Sequence, residues 1–149
     1  MKFTINITPV RQEDIDTLWK WGEENWELWG DEKNKWFSKK SLKRWINDPK
    51  DDILLVARHE DRVIGMCMVS VLRDWAFCFG LFVEKDYRSQ GIGKKLLEEV
   101  EKRLKKEGVT NLTLLADVKN RRGLKFYERE KFYKGFEFIM MTKDLRSNL

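Results

Sequence analysis

Hydrophobic and polar residues alternate along this chain with two periods. A period near two marks 3–7, 53–58, 62–72, 75–83, 112–116 and 136–142, and predicts six strands. A period near 3.6 predicts helices beginning near Arg11 and over 38–46, 91–107 and 121–130. In the first helix Ile15, Leu18, Trp19, Gly22, Trp26 and Trp29 fall on one arc about 100° wide at 100° per residue. That arc is a core-facing stripe, and Trp21 and Leu28 fall outside it. Ser38 is placed to cap the second helix, and Pro49 lies beyond its end. In the third, Ile92, Leu96, Leu97, Val100 and Leu104 share a face, and Gly108 is placed to end it.

The links between 53–58, 62–72 and 75–83 are two or three polar residues long. Links that short join antiparallel neighbours. A helix separates 75–83 from 112–116, which makes one right-handed crossover and a parallel pair. The predicted order is β-α-α-β-β-β-α-β-α-β: an α+β fold with a mixed, mostly antiparallel sheet.

The totals narrow the classes. A chain of 149 residues fits one domain with one core, so residues 1–149 are expected to form a single domain. No apolar run approaches the ~20 residues that cross a bilayer. The opening MKFTINITPV lacks the apolar core of a secretory signal, so the expected location is cytoplasmic, away from the membrane. Two cysteines, Cys67 and Cys78, and one histidine, His59, cannot supply a structural zinc site, and no metal is expected. Both cysteines sit in apolar runs and read as buried, reduced thiols.

The net charge of +5 is unevenly spread. Residues 12–32 carry eight acids and one base, a net of −7, while residues 85–134 carry 15 bases and eight acids, a net of +7. Charge runs usually solvate helix faces. The alternative is that an anion binds in the second half and a cation visits the first. Aromatics are sparse among the basic residues, which disfavours a nucleic-acid partner.

The stretch YRSQGIGKKLL, residues 87–97, sets Gly91 and Gly93 where the third helix begins. Glycine inside a helix costs about 1 kcal/mol relative to alanine. A helix start leaves amide hydrogens without partners and carries partial positive charge, so an anion sits well there. Glycine admits close approach, and Arg88, Lys94 and Lys95 add fixed charge. The spacing fits neither the P-loop nor the dinucleotide fingerprint. Without a ligand, the same residues would form only a tight strand-to-helix turn.

The segment Val83-Glu84-Lys85-Asp86-Tyr87-Arg88-Ser89-Gln90-Gly91-Ile92-Gly93 resembles the signature of the GNAT superfamily of acyl-CoA N-acyltransferases. That signature is a strand ending in Val, a short turn, then [RQ]-x-x-G-x-[GA]. Residues 120–132, NRRGLKFYEREKF, resemble the family's second signature, N-x-x-A-x-x-[FL]-Y-E-[KR]-x-G-F. Gly123 stands where alanine is usual, and Lys131 where glycine is. The resemblance covers about 53–145.

The resemblance implies a splayed sheet with helices on both faces, opening a V for acetyl-CoA. It implies that backbone groups of Leu81, Phe82 and Val83 pair with the pantetheine arm. Amides and side chains over Arg88, Ser89, Gln90, Gly91, Ile92, Gly93 and Lys94 would hold the diphosphate, and Asn120 and Tyr127 would face the thiol end. Tyr127 would protonate the departing thiolate. The implied activity is transfer of an acetyl group from acetyl-CoA to a primary amine of a small molecule or peptide, by direct attack in a ternary complex. A non-catalytic acyl-CoA-binding module is the alternative. No general base is assigned: water is the default, with Asp117 and Glu84 as candidates.

Asn120 and Tyr127 are seven apart, so on a helix they share a face two turns apart. In the family the first two helices shape the acceptor side. Here residues 19–45 carry six of the seven tryptophans. Trp21, Glu24 and Leu28 lie off the core arc and are the first expected substrate contacts, for a polyamine, an aminoglycoside-like amine or a peptide amine; the alternative is that the tryptophans are core and the acids solvated. A homodimer is compatible with all of this.

Overall fold

The computed structural model describes residues 4–146. They fall into two compact units, one up to Asp117 and one from Val118 onward.

The first unit is a five-stranded sheet in the order β1-β2-β3-β4-β5. Its strands are β1 (Ile5–Pro9), β2 (Ile53–His59), β3 (Arg62–Leu72), β4 (Trp75–Val83) and β5 (Asn111–Leu114). β1 to β4 run antiparallel, and β4 pairs β5 in parallel, as the crossover requires. Glu60 and Arg73 take left-handed backbone in the two tight turns, with φ of 55° and 61°. That handedness matches the twist of hairpin strands.

Helices α1 (Ile15–Glu24) and α2 (Lys39–Asn47) cover one face, and α3 (Ile92–Lys106) covers the other. The first face packs Leu18, Leu42, Leu54, Val56, Met66, Met68 and Phe82, all buried. On the other, Leu96, Leu97 and Val100 are fully covered. Burial of one such side chain stabilises by about 1.5–3 kcal/mol. Gly65 faces α3: a Cβ there would lie 3.5 Å from Ile92 and 3.4 Å from Leu96. The Ser38 side chain caps α2 by accepting from the Ser41 amide at 3.1 Å.

Asp14 pins α1 to the sheet. Its carboxylate takes two hydrogen bonds from Arg58, at 3.0 and 2.6 Å, and one from the Arg11 amide at 2.7 Å. Arg58 Nε donates to Thr8 at 3.0 Å. Both charged side chains are buried, and every hydrogen bond between them is charge-assisted.

Two expectations about the first helix change. The first helix opens with a 3-10 turn at Gln12–Asp14 and stops at Glu24, and a second 3-10 turn covers Trp26–Leu28. The 100° phase therefore ends before Trp26 and Trp29. Trp21, expected outside the stripe, is 6% exposed and packs on Phe82 with ring centroids 5.0 Å apart. It lies only about 60° past Leu18 on the helix, and a stripe against a broad sheet is that much wider. The start of the first strand at Phe3 lies outside the described residues.

The second unit holds α4 (Arg121–Arg129). The strand expected over 136–142 does not form there. Phe136, Phe138, Ile139 and Met141 are all exposed, whatever their parity. A strand exists through its ladder, and this unit offers no second strand among the described residues. β5 likewise ends at Leu114, short of the expected Ala116, where its ladder with β4 ends.

Candidate active site

Along its second half, one edge of β4 pairs with no strand among the described residues. The β4–β5 ladder runs from Trp75–Asn111 to Cys78–Leu114 and stops. At that point the β3–β4 register shifts, because Met68 opposes Gly80 while Val69 opposes Cys78. Phe79 is the extra residue of a bulge, which bends the strand and ends pairing.

The direction of the backbone groups beyond the bulge follows from the ladder. The Glu84 amide donates to the Ile64 carbonyl at 2.9 Å. In an antiparallel pair the bonded positions alternate, so Phe82 and Gly80 turn their amide and carbonyl toward β3. Leu81 and Val83 turn theirs to the open edge. Of the three residues expected to pair with a pantetheine arm, two are oriented for it. Phe82 is not, and its contribution is its buried ring.

The chain then makes a 3-10 turn, Lys85–Tyr87, and enters α3. Arg88 Nε donates to the Val83 carbonyl at 2.8 Å, and its guanidinium lies 5.3 Å from the centre of the Phe82 ring. Arg88 thus fastens the turn to the strand end. Ser89 and Gly91 both take left-handed backbone, with φ of 62° and 79°. Gly91 is the N-cap residue, and its Cβ position has no atom within 4 Å. The first helical hydrogen bond runs from Lys95 to the Gly91 carbonyl at 3.0 Å. The amides of Ile92, Gly93 and Lys94 precede it, so the helix itself gives them no acceptor. Ser89, Gln90, Gly91 and Lys94 are exposed, and Ile92 is buried. This is a run of amides at a positive helix end, next to the edge of β4 that no described strand pairs.

In the second unit Asn120 caps α4, its side-chain oxygen accepting from the Gly123 amide at 3.0 Å. A Cβ at Gly123 would lie 2.4 Å from the Asn120 amide nitrogen. The Asn120 side chain lies over the place a Cβ would take. Tyr127 is partly covered by Phe126 and Phe132, at centroid distances of 5.3 and 5.5 Å. Lys131, which stands in place of glycine, has φ of 71°.

Two clefts of the first unit bear on the site. The larger, of about 500 Å³, is lined by Trp21 and Glu24 among charged neighbours that pair with one another. Those pairs are Asp14–Arg58, Arg62–Glu84 and Lys20–Glu24. Glu84, a candidate base, thus holds Arg62 at 2.7 Å. Leu28 lines neither cleft. Asp117, the other candidate, is exposed at the end of the unit.

The smaller cleft, of about 210 Å³, is lined by Trp29, Asn34, Trp36, Phe37 and Phe79. Sequence periodicity missed it because its residues come from an irregular loop and a bulge. The loop is shaped by Asp31, whose carboxylate accepts from the amides of Lys33 and Asn34 at 2.8 and 2.9 Å. The Asn34 and Lys33 hydrogen bonds hold the Asp31 carboxyl below its ordinary range.

Cys67 and Cys78 are buried and free, with sulfurs 3.8 Å apart. The hydrogen bond between them, with burial, holds the Cys67 thiol well above its ordinary value, and as acceptor Cys78 is drawn the other way. No group of three or more His, Cys, Asp or Glu among the described residues could hold a metal ion. No helix among them is long and apolar enough to cross a membrane.

The pattern of the Acetyltransferase (GNAT) family matches residues 16–132, across both units. The chain is 31% identical over 160 residues to spermidine N(1)-acetyltransferase of Thermoplasma acidophilum, spanning 94% of this chain and 98% of that one. Its fold superposes on the crystal structure of the PaiA N-acetyltransferase from Thermoplasma acidophilum in complex with coenzyme A, with a TM-score of 0.71. That match has 26% identity and covers 85% of this chain and 88% of that one. It also shares its fold with an aminoglycoside acetyltransferase from a soil metagenomic sample in complex with sisomicin. The TM-score there is 0.75, at 19% identity over 95% and 97% of the two chains.

Proposed function

The chain belongs to the Acetyltransferase (GNAT) family, and from that premise we propose how its residues run the reaction. It is an acetyl-CoA-dependent N-acetyltransferase. Acetyl-CoA supplies a thioester carbonyl open to attack.

The amides from Ser89 to Lys94 would take the diphosphate, favoured by the helix end and by Gly91, where no Cβ obstructs. The amide and carbonyl of Leu81 and the amide of Val83, whose carbonyl is held by Arg88, would pair along the open edge of β4 as an added strand does. The observation that carries this reading is the parting of β4 from β5 at Cys78–Leu114, directly before a helix start with left-handed glycine. Asn120 and Tyr127 are proposed to face the sulfur, with α4 and the first unit working as one domain.

The acceptor is a primary amine, which at neutral pH arrives protonated, since its pKa is about 10.4. Water is proposed to take that proton, because Glu84 is tied to Arg62. The amine nitrogen then bonds to the acetyl carbon. An outward amide of the β4 edge stabilises the negative charge on oxygen, the carbon–sulfur bond breaks, and the Tyr127 hydroxyl gives its proton to the thiolate; the nitrogen's second proton passes through water to the Tyr127 oxygen, which leaves a neutral amide and restores the phenol. Glu27, Asp31 and Glu32, the acids of the segment 12–32 outside its five ion pairs, favour a small cationic amine of the kind named for the Thermoplasma relative.

Thermal melting with acetyl-CoA, followed by thiol release with a panel of amines, tests this. Melting should rise with the ligand and thiol should appear with at least one amine. Stabilisation without turnover on any amine would leave a binding module. Neither response would remove the assignment.

A further inference from the structure

We propose that the aromatic cleft of Trp29, Trp36, Phe37 and Phe79 holds a second, non-reacting ammonium group of the acceptor, so that the protein selects di- and polyamines over monoamines. This rests on the acetyltransferase reading and specifies its substrate.

The rings form a continuous wall. Trp29 and Trp36 have centroids 5.5 Å apart, Trp36 and Phe37 5.3 Å, and Phe37 and Phe79 5.9 Å. Their planes are inclined at 37°, 60° and 73°, so no pair stacks flat. A ring face is negative and attracts a cation, most strongly where water is excluded. The cleft wall carries no charged side chain.

The rings are also held in advance. Trp36 lies between two glycines. A Cβ on Gly22 of α1 would come within 2.4 Å of the indole, and one on Gly80 of β4 would lie 3.4 Å from it. Glycine inside α1 costs about 1 kcal/mol, and this slot is what it provides. Trp36 Nε1 is buried with no hydrogen-bond partner among the described residues, so shape alone sets the ring. Phe79 is the bulge residue itself, where the free edge of β4 begins. A cation seated against it lies beside the strand that would carry the thioester.

Charge supplies the occupant. Five of the eight acids in residues 12–32 form ion pairs, with Arg11, Lys20, Lys35, Lys39 and Arg58, whereas Glu27, Asp31 and Glu32, which lead into this loop, are in none of them, and their carboxylates raise the local concentration of cations. A neutral apolar ligand would gain nothing from those carboxylates.

The test compares butane-1,4-diamine with butylamine, which have equal chain length and differ by one ammonium. Wild-type kcat/KM should favour the diamine by about tenfold or more, within the range of a desolvated cation–π contact. Phe79→Leu should remove about tenfold of that ratio, and Phe79→Tyr, which keeps the ring, should retain it. Unchanged stabilisation of both variants by coenzyme A shows that they fold. A Phe79→Leu ratio equal to wild type, or equal losses on both amines, overturns the proposal. A second measurement needs no turnover. Tetramethylammonium should shift the indole resonances of Trp29 and Trp36, assigned from Trp→Phe variants, and no shift overturns the pocket. A shift in a protein that acetylates no amine would sink the enzyme reading and leave the cation site standing.

Discussion

Gly91 is the residue on which most depends. Its φ of 79° is left-handed, and space around its Cβ position is open. A β-branched side chain there is strained and stands where an anion would come. Gly91→Val should weaken coenzyme A binding at least tenfold by calorimetry, and unaltered affinity would remove the cradle. Tyr127→Phe keeps the ring and loses the proton, so kcat should fall by tenfold or more while coenzyme A affinity stays within about twofold. An unchanged kcat takes Tyr127 out of the mechanism. Asp31 lends itself to a pH test. Its carboxyl is held low by the Asn34 and Lys33 amides, so its stabilising contribution is present above the unfolded value near 3.8 and fades as pH falls below it. Asp31→Asn should flatten that acid limb of the stability curve. At this scale the place of Gly91 at the helix start was legible, and its left-handed N-cap backbone is the structural reason for the glycine. Trp21 was not, because helical phase gives a direction and the width of the buried stripe comes from the sheet beneath it. Nor was the Asn120 cap, which accepts from the Gly123 amide.

Among elements, β4 does the positioning. Its bulge at Phe79 separates a buried parallel ladder from a free edge in the space of one residue. The sequence marked 75–83 as one strand, and a period of two cannot show which edge is paired. The crossover to β5 was readable because chirality leaves one choice. The strand expected over 136–142 shows the converse: alternation states a preference, and a partner decides. The end of α4 carries a testable fault. Lys131 sits left-handed at φ of 71°, where a non-glycine residue costs about 1–2 kcal/mol. Lys131→Gly should raise the melting temperature, offset in part by the freedom glycine adds to the unfolded chain. A fall would mean that the Lys131 side chain contributes more than its backbone loses. Cys67 and Cys78, locked between strands, should react with an alkylating reagent only on unfolding.

For the molecule as a whole, the two charge domains of the sequence have different fates. Part of the acidic segment is consumed internally, above all in the Asp14–Arg58 pair that ties α1 to β2. Asp14→Ala leaves a buried guanidinium without its counter-charge and should cost about 3–5 kcal/mol, read by chemical denaturation. A loss under 1 kcal/mol would mean water reaches Arg58 freely. The basic segment contains the α3 start, where fixed charge and helix dipole act together. The account as a whole rests on the amides beside Gly91 and Gly93 holding the diphosphate of coenzyme A. A crystal structure of the protein with acetyl-CoA tests that most directly. The account predicts diphosphate oxygens within hydrogen-bond distance of the amides between Gly91 and Lys94, with the pantetheine arm along Leu81 and Val83. A diphosphate bound elsewhere, with those amides left to water, would contradict it.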